Sequence, residues 1–253
     1  MYEEVTDFGK LRDFLNGKLE GFNTQKKVQP MDIVLFTDAI VHVSRIYRVL
    51  NMKRGHALLV GVGGSGRHSL TKLSAFISTM NFDQLEIKKG FGLKDFRVKL
   101  CELYEQAAYK GVSGAKQKLK TVFIFSDNDV LHESFLEDIQ NMLNAGMVPN
   151  IYPAEELARV RDEMRIPYKH FCQKNGQPFN EQPEVMTEWF YNRVKDHMHL
   201  SICMSPIGER FREYTRNVPA LINNTAIDWF LAWPEEALIE VATKYIARID
   251  IDE

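Results

Sequence analysis

Nine consecutive residues, Gly61-Val62-Gly63-Gly64-Ser65-Gly66-Arg67-His68-Ser69, carry the strongest chemical signal in the sequence. Their glycines fall at the spacing of G-x4-G-K-[ST], a loop whose backbone N–H groups turn inward to cradle phosphates. A helix that starts at the end of such a loop adds positive potential at the same point. Two positions depart from the pattern. Arg67 stands in the Lys slot, which keeps the charge but replaces a compact ammonium with a planar fork. His68 stands where the Mg2+-binding Ser or Thr belongs, and neutral imidazole is a poor ligand for a hard, oxygen-seeking cation. Ser69 follows one residue too late. The bland alternative is an ordinary Gly-rich turn, or a dinucleotide-type turn, between a strand and a helix.

About 60 residues downstream lies Val122-Phe123-Ile124-Phe125-Ser126-Asp127-Asn128. An apolar strand ending in an acid fits a carboxylate that holds a metal through water. Alone this is a common pattern; after the Gly-rich loop it becomes specific. The next residue, Asn128, is an amide that orients water but cannot take its proton, where a hydrolytic site places Glu. Ser201-Ile202-Cys203-Met204-Ser205-Pro206 ends a further strand in a small polar residue, Ser205, which fits a γ-phosphate sensor and equally a strand running into a Pro turn. Arg210, Arg212 and Arg216 read as surface arginines unless a neighbouring phosphate site gives them work. Asp127-Asn128-Asp129 lacks the spacing and glycine of a calcium loop. His197 and His199 read as structural, and Trp189, Trp229 and Trp233 as core. The sequon at Asn223 has no signal peptide to support it.

The elements that must position these residues follow from periodicity. Ala57–Gly61 is a short apolar run, too short for a helix, and predicts a buried strand. Gln84–Lys88, Thr121–Asp127, His199–Ser205 and Thr225–Phe230 predict four more. Between them, apolar residues at spacings of three and four predict helices. One runs behind an Asp32 cap through Ile33, Ile40, Val43 and Leu50. Others carry Leu70 to Met80, Phe96 to Ala107, Phe135 to Leu143 (closed by Gly146), Trp189 to Val194, and Pro234 to Arg248 with Pro at the first turn. Residues 148–185 hold five prolines and predict a loop-rich stretch, interrupted by a helix over Ala154–Met164. Residues 1–30 read as a polar lead-in, with Asp7 capping a short helix through Phe8, Leu11, Phe14 and Leu15, and 21–29 as a connector. Val112–Lys120 is a polar loop. Strands alternating with helices predict an α/β domain with a mostly parallel sheet, in which ligands sit at the carboxyl ends of the strands.

Composition narrows the classes. A chain of 253 residues is one large domain or two small ones. A formal charge of −2 argues against a dedicated nucleic-acid binder. No apolar run approaches the ~20 residues of a membrane span, and the acidic start carries no secretory signal. Three widely spaced cysteines, Cys101, Cys172 and Cys203, fit neither a disulfide framework nor a zinc site.

Four segments together are familiar: GHALLVGVGGSGRHSLTKLSAF, VFIFSDNDVLHESFLEDIQNMLNAGMVPN, LSICMSPIGERFR and INNTAIDWFLAWPEEAL. In this order they resemble the fourth AAA+ module of dynein heavy chains, over residues 28–245. The Arg67 form of the loop and the Asp127-Asn128 ending look axonemal, since the fourth module of the main cytoplasmic dynein keeps Lys, Thr and Glu. The resemblance implies an AAA+ P-loop large subdomain over 31–233, a five-stranded parallel sheet ordered 5-1-4-3-2 with helices on both faces, and the start of a small lid subdomain at 234–253. In that order the strand at Phe123 is expected beside neither edge. It further implies ATP or ADP as cofactor, with Mg2+ weakly held. Gly61, Gly63, Gly64, Ser65, Gly66, Arg67, His68, Ser69 and Leu70 would line the phosphates, with Val34 and Leu35 near the adenine. Asp127 would face the metal, Ser205 would be the sensor, and Arg216 would act as a finger on the third module's nucleotide. Neighbouring modules, other dynein chains and, through a distant stalk, microtubules are the implied partners, and the ciliary axoneme the implied location. The stalk, most of the lid and a second sensor Arg would lie outside residues 1–253. Two rival functions remain at this point: a purely structural ring segment without nucleotide, and a stand-alone P-loop kinase.

Overall fold

The computed structural model describes residues 5–25, 29–110 and 120–246. Five strands, β1 (Ala57–Gly61), β2 (Asn81–Gln84), β3 (Thr121–Ser126), β4 (Met198–Met204) and β5 (Ala226–Phe230), form one sheet in the order β2-β3-β4-β1-β5. Every pairing is parallel: Leu58 lies opposite Ile202 on one side and Ile227 on the other, and Phe123 opposite Leu200. This is the expected order. β3 is an interior strand, but that same order puts it next to the edge strand β2, so it is not clear of both edges.

β1, β3 and β4 are buried along their whole length, because helices cover both faces and no residue is left for solvent. Alternate residues serve the two layers. Leu58, Val60, Phe123, Phe125 and Ile202 pack under α4 (Leu93–Glu105), α5 (Glu133–Ala145), α6 (Ala154–Lys174) and α7 (Pro183–His197). Ala57, Leu59, Val122, Ile124 and Cys203 pack under α1 (Phe8–Asn23), α2 (Thr37–Asn51) and α3 (Arg67–Ile77). Asp7 caps α1 by accepting the Lys10 N–H, as predicted. α1 continues into the predicted connector, however, and buries Phe22 between Phe76 and Phe82. Residues 26–28 of that connector lie outside the described residues, as does nearly all of the predicted 112–120 loop and the end of the last helix.

Three predicted elements are moved. β2 sits at Asn81–Gln84, not Gln84–Lys88. Asn81 must align with Thr121 at the start of β3, and its N–H donates to the Lys120 carbonyl. An edge strand carries polar residues, so the Leu85/Ile87 alternation misled. α2 begins at Thr37 rather than behind Asp32. Residues 30–36 instead run extended, held by paired bonds between Asn23 and the Met31 backbone, with Leu35 and Phe36 buried. α6 runs 21 residues and passes straight through Pro167. The lost backbone bond is outweighed by a buried stripe at steps of four, Val160, Met164, Tyr168 and Cys172. Two short helices, α8 (Arg210–Asn217) and α9 (Ala220–Asn223), precede β5, and α10 (Glu235–Ile246) follows it.

The end of α4 widens into a π-helical turn, Gln106–Lys110, which brings Lys110 and Tyr109 onto Glu105 and Glu163. On the same layer Arg97 forks onto both oxygens of the buried Asp138, at 2.9 and 3.1 Å, tying α4 to α5. Arg97→Ala is expected to lower stability by about 2 kcal/mol. That lies below the ~3–5 of a fully buried broken pair because the Arg side chain itself is half exposed. Urea unfolding checks it, and a change within ~0.5 kcal/mol would show that Asp138 finds other partners.

Candidate functional site

The Gly-rich segment joins β1 to α3, as its spacing requires. At Gly61 a Cβ would sit 2.6 Å from the Phe230 Cβ and 3.0 Å from the Ser65 Oγ, so the strand can end there only without a side chain. Gly64 and Gly66 take left-handed backbone angles, φ +79° and +86°, which wrap the loop around the start of α3. Ser65 is buried, and its Oγ has no hydrogen-bond partner among the described residues. A buried orphan hydroxyl is rare enough to point to a missing ligand or water.

Against the loop lies a cleft of about 410 Å3, within the range of small-molecule sites. Gly64, Ser65, Gly66, Ser69 and Leu70 form its phosphate-loop wall. Val34 lines it from the extended 30–36 segment, whereas the Leu35 side chain points into the core beneath α1 and α2. Two tryptophans read as core are part of it. Trp229, half exposed on β5, and Trp233, edge-on to Phe36 at 5.3 Å, both line the cleft, while Trp189 packs with Tyr168 as predicted. Tyr245 of α10 closes another side, its hydroxyl donating to the Asp32 carbonyl at 3.0 Å. His42 was not legible as a site residue. Its ring stacks on Phe230 at 3.8 Å, and its Nδ1 lies 2.7 Å from the Asp228 carboxylate, which also accepts from Arg45. Two polar residues on one helix and an acid on a distant strand carry no spacing signal that would have joined them.

The acidic side of the site is built at the ends of β3 and β4. Asp127 opens a 3-10 turn, Asp127–Asp129, and its Oδ2 accepts the Ser205 N–H at 2.8 Å. The two residues read as metal carboxylate and sensor are therefore in direct contact. Asn128 is exposed. Asp129 accepts from both the N–H and the hydroxyl of Ser126, at 2.7 and 2.9 Å, and so holds the turn. The Arg67 guanidinium does not project freely into the loop: Nη1 donates to the Met204 carbonyl at 2.6 Å and Nη2 to the Val62 carbonyl at 3.3 Å. His68 is exposed at the first turn of α3, yet partial desolvation of its ring lowers its pKa. Asp129 opposes that shift, and Arg67 and Lys72 add to it. The imidazole is thus neutral near pH 7 and contributes no charge to an anion. Among the described residues no group of three or more His, Cys, Asp or Glu is placed to hold a metal ion.

Arg210, Arg212 and Arg216 lie exposed on α8, away from the cleft lining. His197 and His199 are structural, as read: their Nδ1 atoms bond the Ala107 and Gly55 carbonyls at 2.8 Å.

A parallel five-stranded sheet, a Gly-rich loop from β1 into α3, an acid at the end of β3 and a small polar residue just past the end of the strand between them define a P-loop domain of AAA+ type. Residues 31–253 match the family described as P-loop containing dynein motor region D4, and the chain belongs to it. It is 42% identical over 251 residues to the Chlamydomonas reinhardtii dynein-1-beta heavy chain of the flagellar inner arm I1 complex, covering 99% of this chain and 5% of that one. To mouse (Mus musculus) dynein axonemal heavy chain 3 it is 42% identical over 253 residues, 100% of this chain and 6% of the relative. To mouse dynein axonemal heavy chain 2 the figures are 39% over 251 residues, 99% and 5%. The 253 residues thus span about a twentieth of these relatives' length.

Proposed function

We propose that this domain binds adenine nucleotide in the cleft and regulates an axonemal dynein motor rather than powering it. One observation carries the reading: an apolar, aromatic-walled cleft opens directly onto the phosphate loop, beside a buried Ser65 hydroxyl with no partner among the described residues. Residues 31–233 act as the large subdomain, and α10 opens the lid. Gly63, Gly64, Gly66 and the first amides of α3 take the phosphates, and Val34 faces the base. A phosphate-bound Mg2+ needs only one or two protein carboxylates; Asp127 would hold it, His68 adds no hydroxyl, and the ion would supply charge neutralisation at the phosphates. The motor context follows from the relatives' names: neighbouring modules of a longer heavy chain and other dynein chains as partners, microtubules as track, and the cilium or flagellum as location.

Titration calorimetry of the chain with ADP or ATP tests binding. Saturation is expected by roughly millimolar nucleotide, about −4 kcal/mol or better. Arg67→Ala should weaken it more than His68→Ala, because only Arg67 offers a permanent charge to phosphate. Silence at millimolar nucleotide would favour a purely structural ring segment. That second reading draws on the engagement of both Arg67 and Asp127 by backbone groups.

A further inference from the structure

Arg67 and Asp127 grip the same peptide unit. Met204 C=O and Ser205 N–H belong to one amide plane. Arg67 Nη1 donates to its oxygen at 2.6 Å, and Asp127 Oδ2 accepts from its nitrogen at 2.8 Å. Each charged bond polarises the amide in the sense that strengthens the other. The second arm of Arg67 reaches the Val62 carbonyl in the loop, so the side chain straps the phosphate loop to the end of β4. One turn further along α3, Thr71 Oγ1 and Ser201 Oγ, both buried, meet at 3.1 Å and fix the helix to the same strand. The strap is therefore the movable contact of the two, since it lies at the half-exposed rim. Beyond Ser205 the chain turns toward α8 with a local bond, Ile207 N–H to Ser205 Oγ at 3.3 Å.

We infer that the Met204–Ser205 peptide is a two-position reporter of nucleotide occupancy, with Arg67 as the positioning residue that switches it. This rests on the cleft being a nucleotide site. A bound phosphate offers the guanidinium a full counter-charge and an acceptor that matches its planar fork with two parallel bonds, neither of which a neutral carbonyl supplies. Arg67 then leaves Met204, the amide loses its clamp from one side, and residues 205–208 ahead of α8 loosen. A Lys at this position cannot bridge two carbonyls with a rigid fork, so the reporter is specific to the Arg form of the loop.

Amide hydrogen exchange of the chain, with and without millimolar ADP, tests this. In the wild type, ADP is expected to slow exchange in residues 62–68 and to speed the Ser205 and Ile207 amides about fivefold, the equilibrium factor of one net hydrogen bond. In Arg67→Lys the loop protection should persist. The Ser205 and Ile207 amides should already exchange about fivefold faster without ADP and no longer respond to it. Loop protection in the wild type with unchanged Ser205 and Ile207 amides overturns the reporter and leaves nucleotide binding intact. Absence of loop protection overturns both. Wild-type rates at Ser205 and Ile207 in Arg67→Lys, with β3 and β4 amides unaltered, overturn the role of Arg67.

Discussion

Phosphate release from the chain supplied with Mg2+ and ATP is expected to stay far below ~1 s−1, the lower end of ordinary enzyme turnover. Three features of the site combine. Asn128 stands where the water-activating carboxylate belongs, and it is exposed rather than held over the loop. General-base catalysis alone contributes ~10²–10⁴ in rate. His68 occupies the metal-hydroxyl slot as a neutral ring, its pKa lowered first by desolvation, and Mg2+ is what neutralises charge developing on the transferred phosphoryl group. Neither neighbouring acid is idle: Asp127 accepts from Ser205, and Asp129 is committed to Ser126. Asn128→Glu alone is therefore expected to leave turnover unchanged. His68→Thr with Asn128→Glu should raise it only when an adjacent module closes the cleft. Turnover near ~1 s−1 from the unaltered chain would show the pocket to be competent and would assign His68 a direct part in the chemistry.

The second large effect is expected at a different nucleotide altogether. In the proposed motor, Arg216→Ala should cut turnover at the third module's site by ~10³–10⁵, the range of a phosphoryl-transfer arginine finger. The same substitution in the isolated chain should leave ADP affinity within twofold of the wild type, about 0.4 kcal/mol. Arg216 sits exposed on the last turn of α8, and the cleft lining does not include it. Calorimetry of the variant chain separates the two outcomes. A tenfold loss of affinity would place the guanidinium in its own cleft and remove the case for action on a neighbour.

How legible the molecule was in its sequence depended on which constraint set each element. Strands buried on both faces announce themselves: Ala57–Gly61, and Thr121–Asp127 to within one residue, read as strands because their central positions admit only apolar residues. The edge strand β2 did not, since half of its surroundings is water and its Asn and Asp are tolerated. α6 overran its predicted end because Pro167 reads as a breaker locally, while the stripe from Val160 to Cys172 is satisfied only in three dimensions. In the site, the loop glycines were legible from spacing. The strap from Arg67 to Met204 was not, for it joins positions 137 residues apart and replaces an expected reach toward phosphate. Trp233 packs against the core as read and also lines the cleft, whereas Trp229 was misread because aromatic residues in a short apolar run are usually core; here the sheet ends beside it and leaves it half exposed to the cleft.

α1 gives the domain a thermodynamic boundary that differs from its family boundary. The family match begins at residue 31, yet Leu15, Leu19 and Phe22 are already inside the core, each worth about 1.5–3 kcal/mol of burial. Phe22 meets Phe76 edge-on at 5.6 Å, near the end of the same helix whose first turn forms the phosphate loop. A chain trimmed to the family limits would bare Phe76 and Phe82 to water and surrender part of the rigidity on which the loop's shape depends. The portable unit, the piece that could be moved intact into another protein, therefore starts at the Asp7 cap.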